Sequence, residues 1–371
     1  MASIKQRPNG TWRARYRDEM RREHSRHFRT KRDAQRWLDE VTSQVVTGMY
    51  VDPKAGAISL ASYFADWSQR QVWAPTTVVA MKLTVEKCAF REVELRSIRR
   101  SHVEAWVKQM HAGGYAPGTI KTRVNNVRAV LRAAVRDRLI ATDPSLGVTL
   151  PRMRKADMAM RIPTPEEVAA IMNAAEEWFR PFIAFCAFAG LRLGEAAAMQ
   201  LPDVDFLHRQ IRVRRQVQRK PGGLVDLRPP KYGSERDIPA PDELLNLLSD
   251  HIAKWKTFGA DRWIFYGKNN EPPHQNTVHY WWKTTLQRAG VEGVRLHDLR
   301  HFYASGLIAA GCDVVTVQRA LGHAKATTTL NTYSHLWPTA DDRTRAATST
   351  LVESVLRTFA DSVRTDSPTS A

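Results

Sequence analysis

The chain has 371 residues, 43% hydrophobic and 25% charged, enough for two or three domains with cores of their own and unlike a collagenous, low-complexity or disulfide-dense chain. Lys and Arg number 56 against 38 Asp and Glu, a formal charge of +18 that points to a polyanionic partner. No apolar run approaches the roughly 20 residues of a spanning helix, so nucleic acid is expected rather than a membrane. Without an apolar signal segment after Met1, the expected location is the cytoplasm, at the nucleoid.

A turn at Asn9-Gly10 opens the first segment, followed by Trp12, Ala14 and Tyr16 alternating with Arg13, Arg15 and Arg17. Period two makes this a strand with an arginine face. A second strand is expected over His24 to Arg29, and Thr30 with Asp33 starts a helix carrying Trp37, Leu38, Val41 and Val45, ended by Gly48. From Lys5 to Asp33 there are 11 Lys and Arg against 4 Asp and Glu, more basic than a merely solvated face, and a small DNA-binding module of strands and a helix is the reading. Asp52 to Gly56 is turn-rich and reads as a linker, which closes a first domain at 1–56.

The stretch from Ser59 to about Leu146 is patterned for helices throughout, giving an all-α second domain at 57–150. Its longest helix is expected from Gly118 to Leu139, with Ile120, Val124, Val127, Leu131 and Val135 on one face. Lys121, Arg123 and Arg128 on its other faces are candidate DNA contacts. Thr142 to Ser145 together with Pro151 to Lys155 reads as a second, cationic linker.

Beyond it, Thr164-Pro165-Glu166-Glu167 is a capping box with proline at the first helical position. A mainly α third domain, 156–371, follows, with a β-rich stretch from Ile211 to Ile238 hinged at Pro221-Gly222-Gly223 and a disordered tail after Asp361. The fold class is therefore α+β and multidomain, with small antiparallel sheets at the start and in the last domain. Cys88, Cys186 and Cys312 are isolated thiols, since three distant cysteines make neither a disulfide framework nor a zinc site. Neither a P-loop nor a dinucleotide fingerprint is present, so no cofactor is expected.

The third domain gathers residues suited to a phosphodiester: Arg192 after the helix-ending Gly190, His297 and Arg300 three apart on one helix face, His323 after Gly322, and Tyr333 between Thr332 and Ser334-His335. Four such boxes in this order, Ala-Gly-x-Arg-x-x-Glu, His-x-Leu-Arg-His, Leu-Gly-His and Thr-Tyr-x-His, resemble the signature of tyrosine recombinases of the phage integrase family. The resemblance extends over nearly the whole chain and is similar to integrases of temperate actinobacterial phages, mycobacteriophages among them. It implies an arm-type DNA-binding domain at 1–56, a core-binding domain at 57–150 and a catalytic domain at 156–371. It also implies a catalytic lysine on a β-hairpin; Pro229 to Pro239 resembles that hairpin, so Lys231 takes the role, with Lys220 on the same stretch as the alternative. The implied partners are double-stranded attachment-site DNA of arm and core type, a homotetramer assembled on it, a host DNA-bending protein and a directionality factor.

The chemistry follows from the residue types as well. Attack on a phosphodiester builds negative charge on the non-bridging oxygens, and the planar fork of Arg192 and of Arg300 matches two of them at once. His323 is a further donor, Tyr333 the nucleophile, His297 a candidate for its proton, and Lys231 the acid for the 5′-oxygen. No metal is needed. Zinc held by His297, His301 and His323 is a lesser alternative, because Arg300 would repel a cation. The competing functions are a transposon or plasmid recombinase of the same chemistry, a catalytically silent DNA-binding regulator, and a metal-dependent nuclease.

Overall fold

The computed structural model describes residues 2–17, 21–46, 51, 55–152, 160–219, 224–267, 271–337 and 340–365. They divide into two compact units, Met1–Met158 and Ala159–Ala371. Within the first, one hydrophobic cluster forms around Tyr16, Leu38 and Val41 and a second over the helices between Leu60 and Val148.

The chain begins with an antiparallel sheet in the order β1 (Ser3–Gln6), β2 (Trp12–Arg17), β3 (Glu23–Phe28). Sequence alternation identified β2, and β3 lies one residue earlier than the strand expected over His24 to Arg29; β1 is an addition, its four residues too short to show a period. Buried Ala14 and Tyr16 face α1 (Lys31–Val46), which buries Ala34, Leu38 and Val41 and starts, as expected, with Thr30 Oγ1 accepting from Asp33 N at 3.1 Å. The helix runs to Val46; Gly48, its expected stop, lies outside the described residues, as do Asp52 to Lys54 of the expected linker.

Four helices build the second cluster: α2 (Leu60–Gln69), α3 (Pro75–Glu86), α4 (Arg100–Ala112) and α5 (Pro117–Arg136). Helix α5 buries Ile120, Val124, Val127, Val130 and Leu131 along one side, the stripe read from the sequence. Both flanking linkers begin later or end earlier than expected. A Cβ on Gly56 would lie 2.6 Å from the Leu139 carbonyl oxygen, so this residue packs inside the helical unit and has no room for a side chain. Asp143 and Ser145 are buried, with Asp143 Oδ1 accepting from Ser145 N at 2.8 Å and Oγ at 2.6 Å. A polar Thr-Asp-Pro-Ser run therefore folds back on the helices, with Asp143 Oδ1 capping Ser145, Arg128 donating to Ser145, and Arg132 Nε 3.5 Å from Asp143 Oδ2. Met153 to Lys155 lie outside the described residues.

The second unit starts at α6 (Pro165–Ala174), where Thr164 and Glu167 form the reciprocal capping box. Next come the apolar α7 (Arg180–Phe188), the short α8 (Leu193–Ala197) and two small antiparallel sheets. One is ordered β4 (Val204–Asp205), β5 (Gln210–Val213), β8 (Arg236–Pro239); the other is the hairpin β6 (Gln216–Arg219), β7 (Val225–Arg228), whose expected hinge at Pro221 to Gly223 lies outside the described residues. Helices α9 (Asp242–Trp255), α10 (Gln275–Ala289), α11 (Asp298–Ala309), α12 (Val314–Leu321), α13 (Ala326–Tyr333) and α14 (Ala340–Thr365) follow. Helix α14 continues past Asp361 to Thr365, which corrects the expected start of a disordered tail; positions 366–371 lie outside the described residues. A core of Phe179, Phe182, Phe185, Trp282 and Leu299 fixes α7, α10 and α11, the frame on which the polar residues below are mounted. Cys88, Cys186 and Cys312 are free thiols, and no described helix is long and apolar enough to cross a membrane.

Candidate active site

The site is built where α7 stops. Gly190 has φ +62°, and a Cβ there would run into the Tyr303 ring, so only glycine makes this turn. The turn delivers Arg192 to the N-cap of α8, where Glu195 accepts from the Arg192 backbone N–H at 3.0 Å and from Nη1 of its guanidinium at 2.6 Å. Arg192 Nη1 also donates to Ser234 Oγ at 3.2 Å. Glu195 is 1% exposed, and its Oε2, which takes the Arg192 backbone N–H, also accepts from buried Arg236 at 2.8 Å; Arg236 in turn donates to the carbonyl of Ala320 at 2.9 Å. One carboxylate thus clamps two arginines from two elements.

Arg300 comes from α11. It is 2% exposed and donates to the carbonyls of Gly190 and Leu321, at the ends of two other helices. Those bonds use two of its five N–H groups and leave donors for a ligand. Gly322, at φ +63°, is the left-handed cap of α12, and a Cβ on it would meet Arg236 and Ser234 at 3.0 Å. The chain then turns into His323, whose Nδ1 lies 2.9 Å from buried Thr329 Oγ1. Tyr333 ends α13, packed with Ala304, Ile308, Val317 and Leu321 and 1% exposed. Its hydroxyl is 2.7 Å from Nδ1 of His301. Arg192, His297, Arg300, His301, His323, Lys325 and Tyr333 line one cleft of about 540 Å³.

Charge in the cleft is unbalanced. Burial pushes the Glu195 carboxyl up, but Arg236, Arg192 and Arg300 outweigh it and hold the group at about 2, so it stays ionised. Burial, with repulsion from Arg192 and Arg236 against the pull of Glu195, brings Arg300 down to about 9, still protonated at neutral pH. Three guanidiniums around one carboxylate leave an excess of positive charge in a poorly solvated place, a condition that an anion relieves. Burial raises the Tyr333 phenol to about 12, with Arg300 and Arg192 opposing. His297 is lowered by burial and by Arg300 and Arg192.

Acid should therefore loosen this domain. Burial, helped by His297 for His301 and by Arg300 for His323, holds both imidazoles at about 4, against 6.5 for the free group. Between those values the unfolded chain binds more protons than the folded one, so stability falls as pH drops from 6.5 to 4. The melting temperature should decline across that window and continue down as Glu195 begins to protonate. A melting temperature constant from pH 7 to 4.5 would contradict the burial of both rings.

Residues 162–339 match the phage integrase family, and residues 2–47 match the N-terminal domain of phage integrases, together more than half of the chain. The chain is a tyrosine recombinase of the phage integrase family. It is 26% identical over 368 residues to the prophage phiRv2 integrase of Mycobacterium tuberculosis, spanning 94% of this chain and 95% of that one. Among solved structures it resembles the Tn1549 transposon integrase in complex with a circular intermediate DNA, at a TM-score of 0.68 and 19% identity over 79% of this chain and 99% of that one. The lambda integrase tetramer bound to a Holliday junction gives a TM-score of 0.60 at 17% identity, covering 90% of this chain and 94% of that one. These two likenesses establish the shared fold.

In this integrase, five of the six residues singled out as catalytic, Arg192, His297, Arg300, His323 and Tyr333, meet in the cleft. Lys231 does not line it: it starts an exposed turn, Lys231–Gly233, whose carbonyl accepts from Ser234 N at 3.3 Å. The alternative, Lys220, lies outside the described residues. His301 was expected at most to bind zinc and instead holds the tyrosine, while Glu195 and Arg236 stood inside recognisable boxes without a role. Among the described residues no group of three His, Cys, Asp or Glu is placed to hold a metal ion.

The candidate DNA contacts divide. Register sets Arg13 opposite Lys5 and His27, Arg15 opposite Ser3 and Ser25, and Arg17 opposite Glu23, so these residues share the sheet face turned away from α1. Glu23 pairs with Arg13 at 3.4 Å and Arg15 at 3.7 Å. On α5, Lys121 is exposed and the Arg123 guanidinium lies 4.3 Å from the Tyr115 ring centre. Arg128 is spent on the fold: its Nε and Nη2 each donate to Ser145 at 3.1 Å, tying α5 to the segment after it.

Proposed function

We propose that this integrase cuts and rejoins attachment-site DNA through a 3′-phosphotyrosine at Tyr333, inserting a phage genome into a bacterial chromosome and, with a directionality factor, excising it. The observation that carries this reading is the convergence of two arginines, three histidines and a tyrosine on one cleft with excess positive charge. Arg192 and Arg300 grip the non-bridging oxygens of the scissile phosphate and His323 donates to the same oxygens; all three favour the pentacoordinate state, where the charge is greatest. Tyr333 Oη attacks phosphorus, and the 5′-oxygen leaves with a proton from Lys231, whose exposed turn is hung from Arg192 through Ser234. The phosphotyrosine keeps the bond energy, so the 5′-hydroxyl of another strand reseals the backbone without ATP. Four cut strands call for four copies on the DNA, with a host DNA-bending protein to fold the arms.

Lys121 and Arg123, the latter over the Tyr115 ring, contact the core site in this reading, supported by the exposure of Lys121, whereas Arg128 is left to the fold. The open arginine face of β2 reads the arm site, whose phosphates add a strong salt dependence. The gene's flanking junctions supply the DNA for the test. The fragment lacking residues 1–54, which keeps Gly56 in the helical unit, should still attach covalently to a nicked core-site duplex in EDTA and fail to recombine full attachment sites, which require arm and core DNA to be held together. Footprints of full-length and truncated protein should differ only at arm sites. Identical footprints would remove the arm-reading role, and a strict need for divalent metal in the cleavage step would favour a nuclease.

The phage reading rests on likeness along nearly the full chain to a prophage integrase, where transposon transposases of similar sequence cover 68% of it.

A further inference from the structure

We propose that His301 is the general base of this active site, taking the proton from Tyr333 as its oxygen bonds to phosphorus; this rests on Tyr333 being the nucleophile. Nδ1 of His301 lies 2.7 Å from the Tyr333 hydroxyl, and among the described residues no other side chain is hydrogen-bonded to that oxygen. His297, the acceptor expected from the boxes, meets the His301 ring edge-on at 5.0 Å between ring centres and has no bond to the tyrosine.

The direction of the bond follows from the two partners. A buried phenol keeps its proton at neutral pH, and a buried imidazole stays neutral, so the hydroxyl donates to a lone pair on Nδ1 and the imidazole proton sits on Nε2. That is the ground state a base requires. The groups facing His301 are Tyr333 from α13, Asp298 and Arg300 from its own helix, and His297 and Arg295 just before it. Arg300 is the immediate neighbour of His301 in sequence, so the group that grips the phosphate and the group that deprotonates the nucleophile move together on α11.

The step balances. The Oη–P bond forms, the P–O5′ bond breaks, the phenol proton passes to Nδ1, and O5′ takes a proton from the acid, Lys231 in the reading above. On resealing, an incoming 5′-hydroxyl attacks phosphorus and gives its proton to the lysine amine. The His301 imidazolium then returns the first proton to Oη as the Oη–P bond breaks.

A bland alternative is that His301 only satisfies and orients a buried hydroxyl. Single-turnover cleavage of the nicked core-site duplex by the full chain separates the two, using His301→Ala and His301→Asn. Asparagine can still accept a hydrogen bond near the Nδ1 position but cannot hold the proton. We expect both variants to bind DNA as the wild type does and to cleave on the order of 100-fold or more slowly. A 5′-bridging phosphorothiolate, whose leaving group needs no proton, should leave that deficit in place. It should restore a Lys231→Ala variant. Wild-type cleavage should also fall once the medium is acidic enough to protonate His301. The proposal is overturned if His301→Asn cleaves at the wild-type rate, if His301→Ala loses only a few-fold, or if the phosphorothiolate rescues His301→Ala. If the wild type itself traps no DNA, the reading of Tyr333 fails first. Loss of DNA binding by the alanine variant would signal misfolding, and the asparagine variant then decides.

Discussion

Tyr333→Phe is expected to reduce covalent attachment to DNA below detection while leaving DNA affinity nearly unchanged. The change deletes one oxygen. The ring remains packed against Ala304, Ile308, Val317 and Leu321, so neither the cleft nor the surfaces proposed to grip DNA are rebuilt. What is lost is the nucleophile together with a single hydrogen bond to His301, worth about 1 kcal/mol of stability. A gel-shift titration beside a denaturing gel on the same samples measures both quantities. Covalent product at the wild-type rate would place the nucleophile elsewhere.

The second large effect concerns the arginines, for which lysine is a charge-preserving but geometrically wrong replacement. Arg192 is partly exposed and joined to Glu195 and Ser234, so a lysine there can keep its charge and the fold. The cleavage rate of Arg192→Lys should still fall on the order of 100- to 1000-fold, because a point cation cannot donate two parallel bonds to a phosphate. Arg300→Lys should lose at least as much rate and also melt earlier. Its guanidinium bridges the carbonyls of Gly190 and Leu321, two helix ends that one ammonium cannot reach in the same way. Near-normal cleavage by Arg192→Lys would end the phosphate-gripping role. An unchanged melting temperature for Arg300→Lys would end the bridging one.

Much of this was legible before any coordinates. Alternation gave β2 its arginine face, the Thr164 box gave the start of α6, and the stripe of Ile120, Val124, Val127 and Leu131 gave α5, because each pattern reports a local period or a cap. The four boxes identified five cleft residues, since each sits beside a glycine or on a helix turn that fixes where its side chain goes. Long-range pairing was not legible. Nothing local tells that Arg128 reaches Ser145, that Arg236 reaches Glu195, or that Asp143 is buried rather than part of a linker. His301 shows why spacing alone misleads: four residues from His297 suits a pair of ligands or a helix face equally well. Its partner, Tyr333, is 32 residues away.

The central claim is a bond between Tyr333 and DNA, and isolating that bond tests it most directly. The full chain, incubated in EDTA with a nicked core-site duplex that cannot be resealed, should yield a covalent adduct. After digestion with protease and nuclease, mass spectrometry should find the nucleotide on the peptide that contains Tyr333, joined through the phenolic oxygen to a 3′-phosphate. A nucleotide on another residue, or a 3′ end released free of protein, would contradict the account.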